Sequence, residues 1–269
     1  MIDTRKKFYM DNATRFFTGS NPSILVCGGG PFDKDVLVSC GFKNVTISNL
    51  DNRLRGDEFA PYAWAYENAE SMSFADNAFD YVVIHAAIHH ASSPHRVLTE
   101  MYRVARKGVM AIESRDSFTM KMFEKFGFTQ VFEHAAVYYN DFKYGGVNNT
   151  HIPNYVYRWT EREIEKTIKS YAPYAKHRFD YSYATAFPVS AQVERGGRVK
   201  YWILKFAQPL FWLLTIVFKR QQNLFAFFVG KPSLPADLYP WLKLTEAGTI
   251  AFDEAWGHRK YKNEKPSFE

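Results

Sequence analysis

Cysteine is nearly absent from these 269 residues. The two present, Cys27 and Cys40, permit one bridge at most and no paired CxxC. A disulfide scaffold and a cysteine zinc ribbon are both excluded as organising devices. Each lies among apolar neighbours, where a free thiol behaves as a small buried hydrophobe. Met1 to Arg15 lacks the apolar core of a secretory signal, so a cytoplasmic location is the expectation. Repeats and low-complexity tracts are also missing. Charged residues make up 23% and apolar residues 46%, which rules out a disordered or collagen-like chain. Acid is scarce in one place in particular. From Glu194 to Lys231 that glutamate is the only acid against Arg195, Arg198, Lys200, Lys205, Lys219, Arg220 and Lys231, so this stretch carries the whole net charge of +6. A general polyanion binder would spread its basic residues over the surface, so the excess reads as a local feature.

What is present is an alternation of strands and helices. Asp3–Phe17 reads as a helix with Phe8, Phe16 and Phe17 on its apolar side. Strands are expected at 23–27, 44–48, 79–84 and 109–112, with helices at 33–40 and 94–104, the latter opening on a proline. This spacing implies a parallel sheet covered on both faces. Further on, 117–126 reads as a helix, and 127–157 is a Tyr- and Asn-rich connection containing Gly145-Gly146 and Asn148-Asn149. Thr160 and Glu163 form a capping-box pattern for a helix to about Tyr171. Strands at 179–186 and 223–229 close the pattern, and the tail has helical character from about Leu242 to Trp256.

Gly28, Gly29 and Gly30 follow the first apolar strand, where glycines let the chain turn sharply and let a ligand approach the helix that follows. Asp51 ends the next strand about 20 residues later, the spacing at which a carboxylate accepts from both hydroxyls of a ribose. Together they point to a nucleoside site.

Three further segments carry a resemblance. Tyr66-Glu67-Asn68-Ala69-Glu70-Ser71-Met72-Ser73-Phe74 before Phe79-Asp80 is similar to the acidic-Ala-Glu-x-Leu-Pro-Phe segment of class I S-adenosylmethionine-dependent methyltransferases of the type 11 group. Ile84-His85-Ala86-Ala87-Ile88-His89-His90 resembles that family's Leu-His-His segment. Leu98-Thr99-Glu100-Met101-Tyr102-Arg103-Val104 through Gly108 resembles its Leu-x-Glu-x-x-Arg-Val run. The resemblance spans about residues 23–114. It implies an α/β, Rossmann-like, seven-stranded and mostly parallel sheet with helices on both faces, and an aromatic helical insertion before the last strand. It also implies S-adenosyl-L-methionine held by Gly28, Gly29, Gly30, Asp33, Asp51, Asn68, Ala69, Glu70 and His85. The sequence departs from the pattern at the acidic position of the first motif, which is Val26 or Cys27, and at the third glycine, where Pro31 or Phe32 stands. Asn68 replaces the usual adenine-binding Asp and can still accept a hydrogen bond. The methyltransferase domain is expected over 1–232, with a substrate cap at 127–158 and the insertion at 190–222; 233–269 would be a partly helical tail.

Methyl transfer is an in-line displacement in which alignment does most of the work, and a hydroxyl acceptor also gains from a nearby base. His85, His89 and His90 are the candidates for that role, His85 first. His151, Tyr155, Tyr157 and Arg158 are the polar members of the cap that would face substrate. No metal is expected, because no third and fourth ligand stands at a convincing spacing from these histidines. Nucleic acid is not expected either, since an Asn/Asp-Pro-Pro-Tyr/Phe segment is missing after the fourth strand. O-methylation of a small-molecule or lipid/glycan-linked acceptor is the leading reading. N- or C-methylation and a non-catalytic nucleoside-binding homologue are the alternatives. A nicotinamide dehydrogenase would share the glycine loop and Asp51 but not the segment 68–74.

Tyr201–Phe218 is long enough to be scored as a membrane span, but Lys205 and Pro209 interrupt it and a crossing would separate adjacent strands. Pro209 is expected to open a helix to about Arg220. That helix would cover the sheet, form a homodimer interface, or make peripheral contact with the inner membrane face through 201–220.

Overall fold

The computed structural model describes residues 3–54, 56–186 and 189–262. Helix α1 (Thr4–Phe16) is capped by Asp3 and precedes strand β1 (Ile24–Cys27), helix α2 (Pro31–Ser39), β2 (Val45–Asn49), β3 (Ala63–Tyr66), β4 (Phe79–His85), α3 (Pro94–Val104) and β5 (Ala105–Glu113). Then come α4 (Phe118–Lys125), α5 (His134–Tyr138), α6 (Glu161–Tyr171), β6 (Arg178–Ala184), α7 (Val189–Val217) and β7 (Leu224–Gly230). Seven strands form one sheet in the order β3-β2-β1-β4-β5-β7-β6. All neighbours run parallel except β7, which is antiparallel to both β5 and β6. This is the Rossmann-like sheet the sequence implies.

The two faces follow from alternation along each strand. Leu25, Cys27, Val82, Ile84, Val109 and Phe227 point to one side, where Val97, Leu98 and Met101 of α3 and Ile164 and Ile168 of α6 cover them. Ile24, Val26, Tyr81, Val83, Met110 and Phe228 point to the other, under Tyr9 and Phe16 of α1 and Val36 and Leu37 of α2. Cys27 is buried, Cys40 half-buried, and both are free thiols. Helix α6 carries the anticipated box: Thr160 Oγ1 accepts from the Glu163 N–H at 3.3 Å, and Glu163 Oε2 accepts from the Thr160 N–H at 2.8 Å.

Three segments differ from the sequence expectation. Strand β3 was missed because it is a four-residue edge strand, Ala-Trp-Ala-Tyr, with no buried residue. In the tail, Leu242–Leu244 (β8) and Ile250–Phe252 (β9) pair antiparallel around a turn with Gly248 at φ +75°, and among its described residues only Glu254–Tyr261 (α8) is helical. Helix α7 does not begin at Pro209 but runs through it. A proline there removes one N–H donor to the preceding turn, a loss tolerated where water can reach the freed carbonyl.

At the amino edge of the sheet Asp80 is a staple. Its Oδ2 accepts from the Ser23 N–H at 3.0 Å, and its Oδ1 meets Arg106 Nη2 at 2.8 Å and Lys107 Nζ at 3.1 Å. Burial alone would raise this carboxyl, but Arg106, the Ser23 N–H and Lys107 outweigh it and bring it down to about 2. A depressed folded-state value means stabilisation that is complete above the ordinary carboxylate range and fades as pH falls toward 2. Replacing Asp80 by Asn should therefore cost on the order of 1–2 kcal/mol at pH 7. In urea titrations the gap to the parent should close between about pH 4 and pH 2. A gap that stayed constant down to pH 2 would contradict this account.

Candidate active site at the carboxyl edge of the sheet

Strands β1, β2, β4 and β5 all end at one edge of the sheet, where the chain leaves each strand and an open-sheet crevice forms. A cavity of about 350 Å³ lies there. Its lining combines Gly28 after β1, Asp51 after β2, Asn68 and Ala69 after β3, and His85, Ala87 and His90 after β4. Asn140, Gly146, Asn148 and Asn149 close it from the 127–158 connection.

Gly28 has φ +60°, and a Cβ there would stand 2.8 Å from that of Ala87, so the turn needs glycine for both conformation and space. Gly29 meets the sheet instead: its N–H donates to Ser48 O at 2.9 Å, and its carbonyl accepts from Asn49 Nδ2 at 2.9 Å. Gly30 caps α2, donating its N–H to Asp33 Oδ2 at 2.9 Å. Gly29, Gly30 and Asp33 thus shape the loop without lining the cavity. Asp33 is buried against Tyr9 and His85, and burial pushes its carboxyl up to about 6.

Asp51 does line the cavity, and it is already engaged. Arg53 Nη2 and Nε reach its Oδ2 and Oδ1 at 2.6 and 2.9 Å, which holds the carboxyl below its ordinary value. The same guanidinium lies 4.1 Å from the Tyr144 ring centroid and donates to Asn140 Oδ1 at 3.1 Å. Arg53 therefore joins Asp51 to the overlying connection. Asn149 Nδ2 donates to Leu50 O at 3.3 Å and Asn148 Nδ2 to Ser92 Oγ at 2.8 Å, tying down the same cover. Asn68 Oδ1 accepts from the Glu70 N–H at 2.9 Å, leaving its amide nitrogen and one lone pair for a ligand. Glu70 turns away from the cavity. It accepts from the N–H groups of Ser92 and Ser93 at 3.3 and 2.7 Å and so caps the start of α3.

The three histidines separate by role. His85 lies between the rings of Tyr9 and Phe32, at 5.2 and 5.1 Å. Arg5 Nη2 is 3.5 Å from its Nε2, and Asp33 Oδ1 is 3.8 Å from its Nδ1. Burial, reinforced by Arg5, lowers it to about 4, so it is a neutral wall of the cavity near pH 7. His89 is buried beneath the cavity with Nδ1 2.7 Å from Glu113 Oε2. Burial opposes its charge, but Glu113 and Glu133 outweigh that and raise it to about 10. His90 faces the cavity, with Nε2 3.1 Å from Glu133 Oε2. Glu113 also accepts from the N–H groups of Ala87 and Ile88, each at 3.0 Å, just after Ala86, which is held at φ +48°. Such conformations cost roughly 1–3 kcal/mol and persist where neighbours enforce them.

None of the four cap residues expected to face substrate lines this cavity. Arg158 is buried in bonds to Glu124 and to Gln130 O. The Tyr157 hydroxyl donates to Glu163 Oε1 at 2.9 Å, its ring packed on Trp159. Tyr155 is exposed against Phe132, and His151 is exposed. Asn140, Asn148 and Asn149 of the same connection reach the cavity instead, and the Asn-rich composition was their one sequence signal.

Residues 27–112, from the glycine loop to the end of β5, match the model of the methyltransferase domain family. These residues form a methyltransferase domain, similar to those of the class I S-adenosylmethionine-dependent methyltransferases. Its fold is shared with solved structures of low sequence identity. One is a chain in the complex between the Haloferax volcanii Trm112 methyltransferase activator and a methyltransferase. It is 11% identical, with 85% of this chain and 94% of that one covered and a TM-score of 0.52. Another is the YcgJ protein of Bacillus subtilis, 12% identical, covering 85% and 98% at a TM-score of 0.51. No curated protein matches the sequence.

The methyltransferase cavity suits its donor: the volume falls in the ordinary range for a cofactor site, and the Gly28 cradle is one that any Cβ would fill. In this methyltransferase Asp51 would hold the ribose hydroxyls and Asn68 the adenine edge, with Gly28 and Ala87 beside the amino-acid portion. Replacing Asp51 by Ala should weaken S-adenosylhomocysteine binding roughly 10- to 100-fold, the loss of charge-assisted hydrogen bonds worth about 1.5–3 kcal/mol. Tyr155→Ala should leave it within about twofold, as an exposed substitution outside the cavity. Calorimetric titration of both variants checks the pair.

Proposed function

We propose that the chain methylates a hydroxyl oxygen of an acceptor that is small or carried on a lipid or glycan, at a membrane surface met by residues 201–220. The observation that carries this reading is the position of α7. Strand β6 ends and β7 begins at the carboxyl edge, so the helix between them leaves from and returns to the same edge of the sheet as the cavity. Leu204, Phe211 and Thr215 are its buried positions, and Phe211 packs on Phe123 of α4 at 5.4 Å. Trp202, Phe206, Leu210, Trp212, Leu213 and Val217 remain exposed. An exposed apolar face of this extent, bordered by Lys205, Lys219 and Arg220, has the composition of a helix lying in a lipid interface. Among the described residues no helix is long and apolar enough to cross a membrane.

The chemistry follows from the cavity. S-adenosylmethionine supplies an electrophilic methyl group on a sulfonium centre and leaves as the neutral thioether when a C–O bond replaces the C–S bond. The acceptor hydroxyl must lose its proton. His90 is the cavity-facing group that receives it, with Glu133 stabilising the imidazolium. His85, neutral and held by Arg5 and Asp33, shapes the apolar wall. Asp51 and Asn68 orient the donor from the opposite side.

Anionic vesicles should pellet the protein, and neutral phosphatidylcholine vesicles should do so far less, since each basic residue near an anionic surface contributes about 1 kcal/mol. Phe206→Asp with Leu210→Asp should abolish pelleting while S-adenosylhomocysteine binding stays intact. Mass spectrometry of a lipid extract incubated with labelled donor should find the label as an O-methyl group. Equal pelleting on neutral and anionic vesicles, or label only on nitrogen, would overturn the corresponding half of the reading.

A further inference from the structure

His89, His90 and Glu133 come together from two distant parts of the chain, and one ligand atom from each lies within 4.8 Å of the others. We infer that His89 Nε2, His90 Nε2 and Glu133 Oε2 form a binding site for one divalent transition-metal ion at the edge of the donor cavity.

Bonds of 2.0–2.2 Å to nitrogen and carboxylate oxygen place donors on one ion about 3.0–3.5 Å apart. Two of the three separations already meet this: Glu133 Oε2 is 3.1 Å from His90 Nε2 and 3.5 Å from His89 Nε2. The third separation, between the two imidazole nitrogens, is within 4.8 Å. The surroundings of His89 are those of a metal ligand. Its Nδ1 is held by the buried Glu113 carboxylate at 2.7 Å, which fixes the ring and aims Nε2 at Glu133, the carboxylate–histidine–metal arrangement once the ion displaces the Nε2 proton. Glu133 is itself set in place by Asn154, whose Nδ2 donates to the same Oε2 at 3.2 Å. Three protein ligands leave positions open, and His90 and Ala91, which line the cavity, put the site at its border. Two imidazoles and one carboxylate suit zinc, cobalt, manganese or iron(II) better than magnesium, which prefers an all-oxygen shell.

An ion so placed would replace His90 as the activating group: with His90 serving as a ligand, the ion would bind the acceptor hydroxyl as a Lewis acid and lower its pKa so that its proton passes to solvent water near neutral pH. That role rests on the methyltransferase reading; the binding of the metal does not.

The test uses the untagged full chain, stripped with a chelator and titrated with Co²⁺, whose visible d–d bands report coordination, and with Zn²⁺ in competition. One ion per chain is expected. Glu133→Gln and His90→Ala should each weaken Co²⁺ more than about 100-fold, and Glu113→Gln about 10- to 100-fold. S-adenosylhomocysteine titration of Glu133→Gln verifies that this variant is folded. Failure of one-to-one Co²⁺ binding, or unchanged affinity in folded Glu133→Gln, overturns the metal site while leaving donor binding standing. Co²⁺ binding without S-adenosylhomocysteine binding would support the site and count against the donor reading alone.

Discussion

The buried carboxylate of Glu113 is the interaction on which the carboxyl edge depends. It ends β5, next to β4, in a register that pairs His85 with Ile112. From there one oxygen takes the N–H groups of Ala87 and Ile88, and the other holds His89. The chain can then keep Ala86 in the left-handed region, which brings Ala87 against Gly28 and sends His90 into the cavity. Without the carboxylate, two buried N–H donors would lose their partner, at about 1–3 kcal/mol for each group left unsatisfied. The glycine requirement at position 28 and the placement of the histidines are both downstream of one side chain.

The two edges of the sheet divide stability from chemistry. At the amino edge Asp80 is paired on every side, and its partners are part of why the strands stay in register. At the carboxyl edge the polar groups are aimed at one another across a cavity, with strain at Ala86, a buried carboxyl at Asp33 and an engaged Asp51. Local compromises of this kind gather where a protein binds and reacts, and the rest of the fold supports them.

Much of the sheet could be read from the chain because buried parallel strands are short apolar runs between turn residues, and Gly28 and Asp51 stand at a spacing fixed by one strand–helix–strand unit. Glu70 and Asp33 could not be assigned that way. Motif position put both with the cofactor, whereas backbone N–H groups at helix starts claim their carboxylates. Arg158 and Tyr157 turned inward for a related reason. The fully buried Trp159 anchors that part of the chain, and its neighbours satisfy Glu124 and Glu163. Beyond the Asn-rich composition, nothing in the chain marked Asn140 and Asn149 as site residues, because only the path of a long connection brings them to the cavity. Sequence spacing holds no information about that path.

The stem of α7 has a separate consequence. Ala186 and Asn223 clasp each other, the Ala186 N–H donating to Asn223 Oδ1 at 2.9 Å and Asn223 Nδ2 donating to Ala186 O at 2.7 Å. The excursion between them is closed at its base before any of its own contacts form. Closing a flexible loop costs only about 0.6 kcal/mol more for each doubling of its length. A base closed in this way lets the excursion be lengthened, shortened or replaced with little effect on the sheet, so its exposed apolar surface can change independently of the pocket at the carboxyl edge.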